Sequence, residues 1–157
     1  MSESSGVNFK DLLKDKKLFK LFLKDSELEA TEATELIEKN NEETLWSPLK
    51  TKTILEVGYS HDWGGVYGVY EWGGLFFSYV EYCGCEGPFS SFETALSSIS
   101  EEYFTSDEST GTEYRVESSL PLKTILKIVK NLIQIGESLT INDKIYTRMD
   151  KGLTLNK

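Results

Sequence analysis

His61 stands beside Asp62 and is the only histidine in the chain, so hydrolysis through an imidazole base would have to be centred there. No serine occupies a Gly-x-Ser-x-Gly elbow, and no Gly-x-x-x-x-Gly-Lys-Ser/Thr phosphate loop occurs. Gly64, Gly65, Gly68, Gly73 and Gly74 fall within and between strand-like segments, where they suit turns and flat packing better than a strand-to-helix phosphate cradle. Cys83 and Cys85 face the same way on one strand and could join only through a strained ring, so reduced thiols are expected. A zinc site built on them would have to recruit His61 and a carboxylate such as Asp62 or Glu86. Glu56, Glu71 and Glu81 put carboxylates on consecutive strands, yet among twenty-six acids an opposed pair arises by chance. Glycosidic chemistry also needs burial to raise one pKa. The sequence therefore reads as non-catalytic, with no cofactor and no metal.

The elements that would carry these residues belong to one domain spanning 1–157. Of its 157 residues 39% are apolar and 27% charged, the balance of a globular chain able to bury a core without staples. The net charge of −9 repels polyanions, which excludes sequence-independent binding of nucleic acid or an anionic membrane. Residues 25–47 carry −7 and residues 93–119 carry −6, so the acidity is concentrated in two blocks. The polar start Met1-Ser-Glu-Ser-Ser-Gly lacks the apolar core of a secretory signal, which predicts a cytoplasmic protein.

An N-terminal helical segment is expected over 8–40 and an α+β core over 51–149. Phe9, Leu12, Leu13, Phe19, Phe22 and Leu23 gather on one side of a helix over 9–24, with lysines on the other. Ser26 and Glu29 have the spacing of a capping box, opening a second helix that runs to Asn40 and Asn41. Its Glu29, Glu32, Glu35 and Glu38 recur every three residues beside a thin stripe of Ala30, Ala33 and Ile37.

Residues 53–59, 66–72 and 75–82 then read as a three-strand antiparallel meander, with Gly73-Gly74 as a hairpin turn. Cys83 to Pro88 breaks it. A capped helix follows over 91–103, then an exposed loop over 105–113, a strand at 114–117 and a core helix at 122–135. Strands at 138–141 and 144–148 flank Asn142-Asp143 as a C-terminal hairpin. The fold class is α+β, an antiparallel sheet with packed helices, and the N-terminal helices should cover an edge or end.

Eleven of the nineteen aromatic residues lie between Tyr59 and Phe92. Strand alternation divides them between two faces. Either both faces are buried under helices from the two ends of the chain, or one presents Tyr and Trp beside carboxylates, a mixture favoured at protein contacts. On the second reading the chain binds a basic protein partner through Glu29, Glu32, Glu35, Asp107, Glu108 and Glu113, with Trp63, Tyr67 or Tyr79 as anchors. The alternative is a small-ligand or carbohydrate-binding module with an aromatic pocket near Trp63 and Trp72.

Residues 87–96, Gly-Pro-Phe-Ser-Ser-Phe-Glu-Thr-Ala-Leu, place a Gly-Pro-Phe break and a capped helix after an aromatic strand. This segment resembles one found in small bacterial proteins. With its acidity, size and α+β order, the chain resembles immunity proteins that neutralise secreted bacterial toxins. The resemblance implies an acidic surface turned toward a basic toxin, and it transfers no individual binding residue.

Overall fold

The computed structural model describes residues 7–39, 41–60, 65–81, 84–105 and 112–156. They form a mixed α and β fold around one eight-stranded, mostly antiparallel sheet. The strands are β1 (Lys52–Ser60), β2 (Gly65–Trp72), β3 (Leu75–Val80), β4 (Gly84–Phe89), β5 (Glu113–Ser118), β6 (Ser138–Ile141), β7 (Lys144–Met149) and β8 (Gly152–Leu155). Their order is β4-β3-β2-β1-β5-β6-β7-β8, and only β5 and β6 run parallel. The Gly73-Gly74 turn has φ of 63° and 81°, and Asn142-Asp143 has φ of 46° and 70°, the left-handed values that tight two-residue hairpins require. No helix among the described residues is long and apolar enough to cross a membrane.

Alternation assigns each strand residue to one of two faces. Leu55, Val57, Tyr67, Val69, Val116, Leu139, Ile141 and Tyr146 form the first face. Helices α5 (Phe92–Ser97) and α6 (Leu122–Val129) close over it with Ala95, Ile125 and Val129, aided by Ile99, Leu132 and Ile133. On the second face Trp72, Phe77 and Cys85 of β2, β3 and β4 pack under the N-terminal helices. These are α1 (Phe9–Leu12), α2 (Lys16–Ser26), α3 (Ala30–Lys39) and α4 (Glu42–Trp46), with Phe9, Phe22, Ala33 and Leu45 fully buried beneath them. No helix among the described residues covers the second face of β5 to β8 in this way, and Ile145 and Met149 there are about half exposed.

Several expected boundaries are corrected. The 9–24 segment is two helices, because the Asp15 carboxylate accepts the amides of Lys17 at 2.8 Å and Leu18 at 3.1 Å and starts a new helix there. Ser26 closes α2, with Glu27 left-handed at φ 59°, so α3 begins only at Ala30. α3 ends at Lys39, directly before the two asparagines as expected, and the Asn41 side chain also accepts the Thr44 amide at 3.2 Å and caps α4. Gly84–Phe89 is a fourth strand paired to β3 rather than a break. The helix expected over 91–103 stops at Ser97, followed by a 3-10 turn over Glu101–Phe104. β8 adds an edge strand that sequence patterning did not separate from the C-terminal tail. The N-terminal helices cover the face of β2 to β4 rather than an edge.

One polar tie fixes this layer to the sheet. Trp72, 2% exposed, donates its indole N–H to Asp25 Oδ2 at 2.8 Å, and the same oxygen accepts the Lys50 amide at 3.0 Å. The end of α2 is thereby joined to β2 and to the segment entering β1. Trp72→Phe removes a hydrogen bond to a charged acceptor and leaves a gap, so urea unfolding should show a loss of about 2–4 kcal/mol. A loss below about 1 kcal/mol would mean that the tie adds nothing beyond its apolar contacts.

Candidate functional site

The residues singled out in the sequence do not form one patch. Tyr67 is 2% exposed, its hydroxyl donates to the Tyr103 carbonyl oxygen, and its ring meets Tyr59, Tyr103 and Phe104. It is a core residue and cannot anchor a partner. Burial holds its phenol well above the ordinary tyrosine range, reinforced by Tyr114, Tyr59 and Tyr103. Trp63, Asp107 and Glu108 lie outside the described residues, as do His61, Asp62 and Cys83.

Glu29, just before α3, and Glu32 and Glu35 on it are exposed, while Ala33 and Ile37 of the helix are buried, so α3 turns its acids to solvent. The Glu29 amide donates to Glu32 Oε1 at 3.4 Å, and Glu38 is drawn aside into an ion pair with Lys10 at 3.1 Å. Glu113 is exposed but lies elsewhere: it pairs with Ser60 at the far end of β1, and alternation places it on the same face as Arg115 and Glu117. Thr53, at the opposite end of β1, faces Tyr70. Seven residues of strand at ~3.3 Å each separate the two ends by ~23 Å. Glu113 and Arg115 line an open hollow of about 540 Å³ with Gly58, Ser138, Thr140 and Ile145, so that one acid and one base share it.

A second hollow, of about 650 Å³, lies where α4 meets β2, β3 and β4. The register sets its floor, since Tyr70 faces Phe77 across β2 and β3 while Tyr79 faces Cys85 across β3 and β4. Trp46 of α4 closes over them, its ring edge-to-face with Phe77 at 5.0 Å and with Phe9 at 5.2 Å. Its Nε1 is buried and has no hydrogen-bond partner among the described residues. Glu42, Glu43, Ser47 and Thr51 complete the lining. Glu42 is held by the Val7 amide, which donates to its Oε2 at 3.0 Å.

The charge around this hollow is negative. The Tyr70 hydroxyl donates to Glu56 Oε2 at 2.6 Å. Burial first, then this bond and the Glu56 charge, hold the phenol far above its usual range and keep it a donor. The Cys85 thiol is pushed up to about 12, by burial first and then by the Glu42 and Glu86 charges, so at neutral pH it is a protonated, inert group. No three His, Cys, Asp or Glu side chains gather as a metal site among the described residues.

Of the two expected anchors among the described residues, Tyr79 reaches this hollow and Tyr67 does not. Trp46, Tyr70, Glu42 and Glu43 were missed. The two-residue turn after Trp72 already fixes Tyr70 opposite Phe77 and so carried the signal for the floor. Nothing in the sequence pattern shows that a five-residue helix lays Trp46 over it. No family model matches the chain, and neither a curated protein nor a solved structure matches it.

Proposed function

We propose that the protein is a non-catalytic binding module that holds a basic protein partner against its acidic N-terminal layer, in the manner of an immunity-type inhibitor. The observation that carries this reading is the solvent-facing array of Glu29, just before α3, and Glu32 and Glu35 on it, continued in sequence by Glu42 and Glu43 of α4 at the aromatic hollow. Fixed like charges of this kind steer a partner of opposite sign and speed encounter, while aromatic contact slows release. Glu113, Asp107 and Glu108 are not needed for it.

The test is capture from host lysate at low and moderate salt, with the wild-type chain and with Glu29→Lys/Glu32→Lys/Glu35→Lys. A basic protein retained at low salt by the wild type, with at least tenfold weaker binding and a flatter salt dependence in the variant, is the expected result. Unchanged circular dichroism would show that the variant is folded. Capture that survives the three reversals would overturn the acidic-face reading. The hollow also supports a second reading, a small-ligand or carbohydrate site, because its volume lies in the ~300–1,000 Å³ range of ligand pockets and its walls are aromatic.

A further inference from the structure

We propose that the hollow between α4 and the β2–β4 face receives a lysine or arginine side chain of the basic partner, with its apolar stem against the aromatic floor and its cation among the carboxylates. This inference deepens the proposed function and rests on it for the source of the side chain. The hollow itself stands on separate observations.

Three features of the lining select this occupant. Trp46, Tyr70 and Tyr79 offer ring surface, which attracts cations through the negative face of each ring and accommodates a methylene stem. Glu42 and Glu43 bring two carboxylates to the same lining, and Glu56 stands directly behind Tyr70. An anion would meet this negative field, and the Tyr70 hydroxyl is already committed to Glu56. The nearest cations along the chain, Lys50 and Lys52, flank Thr51 and are exposed, and Lys52 lies opposite Glu71 in the β1–β2 register. Among the described residues no lysine or arginine lines the hollow, whereas Glu42 and Glu43 do. A lysine or arginine satisfies both halves of the lining, where a purely apolar group would leave the carboxylates unused and a compact inorganic cation would leave the rings unused.

The experiment uses the whole chain and probes of defined chemistry: N-acetyl-arginine methylamide and N-acetyl-lysine methylamide, the uncharged N-acetyl-norleucine methylamide, tetramethylammonium and methyl glucoside. Binding is read from the Trp46 indole N–H resonance, assigned with Trp46→Phe. A single side chain without the rest of its protein should bind in the millimolar range. The expected result is saturable shifts with the arginine or lysine probe and at least fivefold weaker binding of the norleucine probe. Glu42→Gln/Glu43→Gln, which keeps an oxygen for the Val7 amide, should weaken the cationic probes about tenfold while leaving the thermal midpoint in place.

Equal binding of the norleucine probe, or no effect of the double variant, would overturn the assignment. Tetramethylammonium or methyl glucoside binding in the absence of binding by both amino-acid probes would also overturn it, in favour of a free small ligand. Because these probes do not touch α3, their failure leaves the acidic-face reading standing. Partner capture that survives the three reversals, with probe binding intact, would separate the two in the other direction.

Discussion

Gly68→Ala is expected to cost the protein most of its stability, about 4 kcal/mol or more. Gly68 sits in the middle of β2, opposite Glu56 of β1 and Tyr79 of β3. A methyl at this position would overlap the Leu55 carbonyl oxygen and lie 3.0 Å from Glu56 Cα and 3.1 Å from Leu55 C. All three are backbone atoms of a central strand, so no rotamer change relieves the clash and the β1–β2 ladder must separate. The register of β1 against β2 shifts between Thr53 and Leu55, next to this site. Since whole domains are stable by only about 5–15 kcal/mol, the variant should unfold at far lower urea or fail to accumulate. Gly58→Ala is the control, because on the neighbouring strand an added methyl meets only the Arg115 carbonyl oxygen, at 3.8 Å. Its effect should stay within about 1 kcal/mol. Equal behaviour of the two variants would show that the close approach at Gly68 is relieved at little cost.

The second large effect is loss of stability in alkali. Tyr67, Tyr70 and Cys85 all titrate above their ordinary values of 10.0, 10.0 and 9.0 when folded, with burial the main cause in each. Tyr114 is displaced the same way, by burial and then by Tyr59 and Glu137. A raised pKa means that the folded chain keeps protons the unfolded chain has released, so stability is whole below the unfolded values and falls as pH rises past them. The decline should begin near pH 9 with Cys85 and steepen above pH 10, where the tyrosines join. Each group contributes a slope of up to about 1.4 kcal/mol per pH unit, so the three buried groups together approach about 4. Thermal melts at pH 8, 9.5 and 11 should show a midpoint that barely moves over the first interval and drops sharply over the second. Tyr70→Phe removes one of these protons and should flatten the upper part of the curve. A midpoint that stays level from pH 8 to 11 would contradict the burial of these phenols.

The parts of the fold that sequence patterning reached are those with short-range determinants. Gly73-Gly74 and Asn142-Asp143 define their hairpins, since few other residues take positive φ in adjacent positions. The period of α6, with Ile125 and Val129 inward, is equally local. What escaped was set by competition between neighbouring signals or by contacts distant in sequence. Asp15 and Ser26 are both good helix caps, and only the packing of Leu18 and Phe22 decides that Asp15 starts a helix while Ser26 ends one. β4 contains Gly84, Gly87 and Pro88, each a poor strand former, and is a strand because β3 supplies its ladder. The candidate site divides in the same way. The acids of α3 could be placed on its outer side by period alone, whereas Tyr67 and Tyr79 are both strand tyrosines whose fates differ only because helices cover one face fully and the other in part.

Strands β2 and β3 belong to both cores, giving alternate side chains to the helices on either side. This makes the hairpin a party wall. A slip of one residue would send Tyr67 and Val69 into the space shaped for Tyr70 and Trp72, and would ruin two interiors at once. The N-terminal layer and the C-terminal helices never need to touch in order to sense one another, because each rests on the back of the other's wall. The helices α1 to α4 on one side and α5 and α6 on the other should therefore lose their order together, in one transition, although a full sheet thickness stands between them.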